Sequence, residues 1–360
     1  MSLTCQNSII RISNMNSDHK KVVKTVIFSL TPKGDLLNHR LVGEHYTSEI
    51  IKDQGGIMAC VKERFNQVTY MVFICATGIA VRSIGKLMVD KYKDPAVLVL
   101  DEEGRYVISL LSGHLGGGNA YAKEIGKSIN AIPIITTSTD VHGVGSLDLL
   151  LQALHCDVHV HRDDILKINM ALIRGESVGL YSDIGLNDAG YAGYLEGFTI
   201  MEDFQTFIKM SADYKVYIGY DTRQIEALSP KNLWCVPKVL CLGTGTRKNL
   251  DTNAYFHELD TYLKAVNIHP SAIAILTSVD IKRQEPCLEA LCQAWSLESV
   301  FFTVQDLKSV HDQFEKSEWV IKTLGIGSVA GPSAWLISKG NMIHQGRKMK
   351  GSTFALGRII

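Results

Sequence analysis

Ser112-Gly-His-Leu-Gly-Gly-Gly-Asn119 places one imidazole in a glycine-rich loop between an apolar run and a helical pattern. Gly113, Gly116, Gly117 and Gly118 let a backbone approach a ligand closely, because no Cβ stands in the way. Free N–H groups at the start of the following helix, capped by Asn119, would add partial positive charge, so the segment reads as an anion site. His114 is its titratable side chain and the candidate acid or base. A tight structural turn with a surface histidine is the alternative reading of the same residues.

Two further transitions from apolar run to glycine carry cations. Thr77-Gly78 opens a helix that bears Arg82 and Lys86 one turn apart. Gly243-Thr-Gly245-Thr-Arg247-Lys248 reads as a loop whose amides and cations suit carboxylates or phosphates, with a purely structural loop as the alternative. Leu324-Gly-Ile-Gly-Ser-Val329 reads as another strand-end glycine loop, with Pro332 opening the next helix. Asp280 and Glu285 flank Lys282 after a strand end, where helix capping and general-base work both stay open. In His155-Cys-Asp-Val-His159-Val-His161, a strand would put His159 and His161 on one face. That is a chelating pair or a solvated strand edge, and no protein-bound metal is expected.

Several chemistries are disfavoured. The third glycine of a dinucleotide fingerprint falls at Lys248, and the Walker pattern, the nucleophile elbow and HExxH are absent. Lys+Arg and Asp+Glu balance at 37 each, which argues against a generally basic nucleic-acid-binding face. The eight cysteines include no CxxC pair, so the chain reads as a reduced, cytoplasmic protein. No apolar run is long enough for a membrane span.

The elements that must position these residues read as α/β. Apolar runs predict strands at 22–30, 69–76, 96–100, 105–111, 132–136, 215–220, 238–242, 272–276, 300–303 and 352–356. Helices are expected over 47–66, from 77 through Met88, after Asn119, and over 201–210, 250–266, 285–296 and 332–338. Two α/β domains with mostly parallel sheets, at 21–140 and 236–360, would flank a smaller middle domain or linker region at 141–235. Residues 1–20 read as a flexible tail.

Ala76-Thr-Gly-Ile-Ala-Val-Arg82, Val97–Asp101, Ser112–Asn119 and Ile134-Ile-Thr-Thr-Ser-Thr-Asp140 resemble, in order and spacing, the CbiG family of cobalamin biosynthesis. Gly243–Lys248, Thr277–Glu285 and Lys350-Gly-Ser-Thr-Phe-Ala355 resemble that family's C-terminal domain. Gly118 stands where alanine is expected, His142 where asparagine is common, and Gly331 where an acidic residue is frequent. The resemblance implies a cobalt-precorrin-5A hydrolase: water opens the ring-A δ-lactone, acetaldehyde leaves, and cobalt-precorrin-5B is the product. It implies no resident cofactor, since the cobalt comes with the tetrapyrrole, and it leaves room for a homodimer and transient contacts with other pathway enzymes. Catalytic work is assigned to His114, Asp280 and Glu285. Substrate binding is assigned to Thr77, Gly78, Arg82, Ser112, Gly113, Gly116, Gly117, Gly118, Asn119, Gly243, Gly245, Arg247 and Lys248. A non-catalytic corrinoid carrier and a nucleotide-dependent enzyme are the alternatives.

Overall fold

The computed structural model describes residues 25–41, 48–50, 56–90, 93–158, 161–186 and 190–359. The architecture is α/β, and the chain divides into two compact units that meet in sequence between Thr137 and Ser138.

The first unit holds one six-stranded sheet. Its strands are β1 (Thr25–Ser29), β2 (Ser48–Ile50), β3 (Tyr70–Ile74), β4 (Ala96–Leu100), β5 (Tyr106–Leu111) and β6 (Ile132–Ile134), in the order β2-β1-β3-β4-β5-β6. Strands β3 and β4 are continuous apolar runs because both faces are covered, and Met71 to Phe73 and Ala96 to Leu98 are fully buried. One pairing is antiparallel: β4 turns through residues 101–105 into β5, so β5 and β6 run against β1, β3 and β4. The helix Gly118–Ile129 packs Tyr121, Ala122 and Ile125 onto this sheet.

The second unit carries two sheets. Strands β7 (Val178–Ser182), β8 (Phe198–Ile200), β9 (Tyr214–Ile218) and β10 (Leu233–Cys235) form an all-parallel sheet in the order β10-β9-β7-β8. Strands β11 (Leu240–Thr246), β12 (Ile273–Val279), β13 (Glu298–Phe302), β14 (Met342–Lys348) and β15 (Ser352–Arg358) form the other, in the order β13-β12-β11-β15-β14. Within it β11, β12 and β13 are parallel, while β15 runs antiparallel to β11. One buried cluster, including Leu150, Ile218, Leu240, Tyr255 and Leu276, joins the two sheets.

Several expectations change here. Within 47–66, Ser48–Ile50 is a strand that pairs parallel with β1, and a helix begins afresh at Ile57 after Gly56, whose φ is +86°. Sheet hydrogen bonding outweighs the helical phase of Ile50 with Ile57, as tertiary context commonly does; Ile51 lies outside the described residues. The Thr77–Ile84 helix ends with Gly85 as its C-cap, so Lys86 lies beyond it and Arg82 and Lys86 do not share a helix. The glycines at 325 and 327 follow a helix, Glu318–Leu324, which Gly325 ends at φ +72°. Pro332 is the third residue of the Ala330–Ser338 helix and not its first.

Candidate functional site

Leu111 ends β5, and the chain then folds the Ser112–Gly117 loop onto itself. The N–H groups of Gly117, Gly118 and Asn119 donate to the carbonyls of His114, Ser112 and Gly113 at 3.0, 3.3 and 2.7 Å. These amides are therefore committed inside the loop, and the expected array of free donors across Gly116–Asn119 is not present. Gly117, at φ +81°, is the helix N-cap, so Asn119 does not cap but lies in the first turn. Its buried side chain donates to the Thr137 hydroxyl at 2.8 Å, tying the loop to the segment after β6.

Close packing explains the glycines. A Cβ at Gly113 would stand 2.4 Å from the Asn119 Oδ1, one at Gly116 2.5 Å from the Ser112 carbonyl oxygen, and one at Gly117 2.8 Å from the Tyr70 hydroxyl. His114 is half-buried in this loop, and the Ser109 and Ser112 hydroxyls, at the end of β5 and the start of the loop, are buried without a hydrogen-bond partner. This end of the sheet offers one imidazole and two unsatisfied hydroxyls.

Thr77, Gly78 and Arg82 sit at the other end of the same sheet. Ile74, just before them, pairs with Leu100 at the end of β4, whereas Leu111 pairs with Val97 at its start. Three residues of strand separate the two levels, about 10 Å before the loops add more. The two groups cannot line one pocket in this unit. Arg82 folds back over Gly78, its Nη1 3.5 Å from where a Cβ would be.

The third group lies in the second unit, and it is not a loop. Gly243 and Gly245 belong to β11, opposite Ala355 and Thr353 of β15. Gly243 has a ladder partner on each side, Thr277 of β12 and Ala355, and Gly245 has one in β15, so the two belong to extended strand and not to a loop nest. Gly243 is needed because a Cβ would stand 2.1 Å from the Ala330 carbonyl oxygen, where the Ala330–Ser338 helix lies on the strand. Only beyond Thr246 does the chain leave the sheet, and there Arg247 and Lys248 are exposed.

Two carboxylates shape that exit. Glu258 Oε1 accepts the Gly351 N–H at 2.8 Å and its other oxygen takes the Ser352 hydroxyl. Glu285, 7% exposed, accepts the Asn249 N–H and pairs with Lys282 at 2.8 Å. Both Glu285 oxygens are thus engaged in holding loops. Asp280 is half-buried and accepts the neighbouring Ile281 N–H. Sequence reasoning missed Glu258 and Ser352, whose types carry no signal until β15 pairs with β11. A Cβ at Gly331 would lie 2.3 Å from the Phe314 ring, so an aromatic fills the space where an acidic side chain was expected.

Elsewhere, Asp183 after β7 accepts the Tyr217 hydroxyl at 2.6 Å and the N–H groups of Tyr220 and Asp221 at 3.0 and 3.2 Å. Burial nonetheless lifts its carboxyl above the usual 3.8. Cys156 and Cys241 are pushed up to about 12 by burial, which leaves them as unreactive thiols. His161 precedes the Arg162–Arg174 helix with its ring edge-on to Trp234, His155 has φ +54°, and His159 lies outside the described residues. Among the described residues no three His, Cys, Asp or Glu side chains are grouped to hold a metal ion, and no helix is long and apolar enough to cross a membrane.

Residues 59–140 match the family model described as cobalamin synthesis G N-terminal, and residues 240–357 match that described as cobalamin synthesis G C-terminus. The chain is similar to a cobalt-precorrin-5A hydrolase of Salmonella typhimurium, 34% identical over 342 residues that cover 92% of this chain and 96% of the relative. A cobalt-precorrin-5A hydrolase of Priestia megaterium is 24% identical over 314 residues, covering 86% and 83%. A solved cobalamin biosynthesis protein G homolog from Sulfolobus solfataricus aligns over 94% of this chain and 97% of its own, at 19% identity and a TM-score of 0.39.

Proposed function

The chain belongs to the cobalamin synthesis G family, and on that premise we propose that it hydrolyses cobalt-precorrin-5A. The observation that carries this reading is the near full-length relationship to a curated hydrolase, which spans both matched domains and the segment between them. Water adds to the ring-A δ-lactone carbonyl and the acyl C–O bond breaks to give a carboxylate and an alcohol. The alcohol then gives up its proton as its carbon–carbon bond to the macrocycle breaks; the electron pair stays on the macrocycle, acetaldehyde departs, and cobalt-precorrin-5B remains. The cobalt is cargo that enters with the substrate.

Two tasks fall to the protein: a proton must move at the lactone or its alcohol, and the macrocycle's carboxylates must be met by cations. His114 serves as the acid or base, in a loop whose Ser112 hydroxyl, like that of Ser109 in β5, is buried and unpaired. Arg247 and Lys248 serve the carboxylates at the exit of β11. Glu285 acts through the loops it anchors, since its oxygens are already occupied. The nucleotide-dependent alternative loses its one motif, because Gly243–Thr246 is strand ladder.

Anaerobic incubation with cobalt-precorrin-5A, trapping acetaldehyde as its hydrazone, tests the reading. Time-dependent acetaldehyde with conversion to the 5B product is expected. Bound corrinoid with no acetaldehyde, beside an active homologue, would overturn it in favour of a carrier.

A further inference from the structure

We propose that Lys350 completes, with Arg247 and Lys248, a clamp for the carboxylate side chains of a macrocyclic polyanion. The clamp lies at the edge of the second unit's mixed sheet where β11 ends and β15 begins. This inference rests on the hydrolase reading for the identity of the ligand, and on the residues below for the site itself.

The last rung of the β11–β15 ladder is Thr246 with Ser352, and the Arg247 N–H then donates to the Gly351 carbonyl at 2.9 Å. One residue further out on each strand stand Lys248 and Lys350, both exposed. Three basic residues thus stand at neighbouring backbone positions on one edge of a chain whose formal charge is zero. Among the described residues none of the three pairs with a carboxylate. Bringing like charges together is unfavourable unless something anionic offsets it.

Neighbouring carboxylates do not supply that offset. Glu258 spends its oxygens on the Gly351 N–H and the Ser352 hydroxyl, and Glu285 spends its own on the Asn249 N–H and Lys282. Each holds in place a turn that carries one of the lysines. The 349–351 turn is fixed on three sides: Met349 N–H to the Ser352 carbonyl at 2.8 Å, Gly351 to Glu258, and Gly351 to Arg247. Preorganised cations cost less to bind an anion than mobile ones.

A second observation points to the same place. The Thr246 hydroxyl, on the residue that ends β11, is buried with no hydrogen-bond partner, and the residue is 8% exposed. A buried hydroxyl without a partner is costly, and a carboxylate oxygen would satisfy it. The edge also lies at the C-terminal ends of parallel β11 and β12, where open α/β sheets bind their ligands.

The test uses the full chain and uroporphyrin, a macrocycle with eight carboxylates, titrated by fluorescence quenching, together with turnover of cobalt-precorrin-5A. Lys350→Glu should weaken uroporphyrin binding and raise KM about tenfold or more, with kcat held within about twofold, as expected for a rim charge that binds without joining the chemistry. Lys350→Gln should give a smaller shift of the same sign. Lys339→Glu, at the far end of the Ala330–Ser338 helix, should change neither. Thr246→Val should raise KM while leaving the melting temperature unchanged or higher. If Lys350→Glu folds and binds uroporphyrin as the wild type does, the clamp is wrong, whatever the wild type does with its substrate. Lys350-dependent binding in a wild type that releases no acetaldehyde would keep the clamp and sink the hydrolase reading.

Discussion

At Gly117 the backbone sits at φ +81°, and an added Cβ would stand 2.8 Å from the Tyr70 hydroxyl. Both effects oppose any side chain, so Gly117→Ala should cost about 1–3 kcal/mol and lower the urea midpoint accordingly. Gly245 has no such demand: the nearest atom to its Cβ would be Val329 Cβ, at 3.7 Å, and its φ is not positive. Gly245→Ala should therefore stay within about 0.5 kcal/mol of the wild type. A shared glycine-rich look hides one glycine that the backbone requires and one that it does not. His114 has a prediction of its own, since an acid or base lost from the proton transfer costs on the order of 10²-fold or more. His114→Ala should lower kcat by that much with its melting temperature unchanged; turnover within about threefold of the wild type would remove the role.

Strand β7 ends at Ser182, and the next residue, Asp183, is gripped by three donors from the β9 side. Because burial raises its pKa, the folded protein gives up this proton at higher pH than the unfolded chain does. The stabilising contribution of the protonated form is complete below about 3.8 and is lost as pH rises through the raised folded value. Asp183→Asn keeps an acceptor oxygen for the donors without the charge. Its melting temperature should exceed the wild type's at pH 8, and the gap should close toward pH 4; a gap constant across that range would refute the assignment. The elements themselves were unevenly legible. Strands β3 and β4 could be read because full burial makes them unbroken apolar runs. β11 runs on past Leu242, and its glycines look like a loop from sequence because only the pairing with β15 shows them to be strand. β14 carries no strand signal in the sequence, because its Gln345–Lys348 half is exposed on an edge and shows no alternation. That the Thr77 and Ser112 segments occupy opposite ends of one sheet depends on the antiparallel sense of β4 and β5. The short polar stretch Asp101-Glu-Glu-Gly104 between two apolar runs implies that sense, but its consequence for the site appears only once the register is known.

With 37 acidic and 37 basic side chains, the molecule as a whole has no net field to draw in a polycarboxylate. Any electrostatic steering must come from local groups, and unpaired cations on an exposed edge are screened over about 8–10 Å at ordinary ionic strength. Raising salt from about 50 to about 500 mM should therefore lower kcat/KM chiefly through KM, with kcat nearly constant. The dependence should flatten in a variant carrying Arg247→Gln and Lys248→Gln together, because the charges being screened are then gone. It should persist in Arg82→Gln, whose guanidinium lies in the first unit. If the Arg82 variant flattened the salt dependence and the Arg247/Lys248 variant did not, the carboxylate contacts would belong to the first unit. The cations after β11 would then be an ordinary solvated edge.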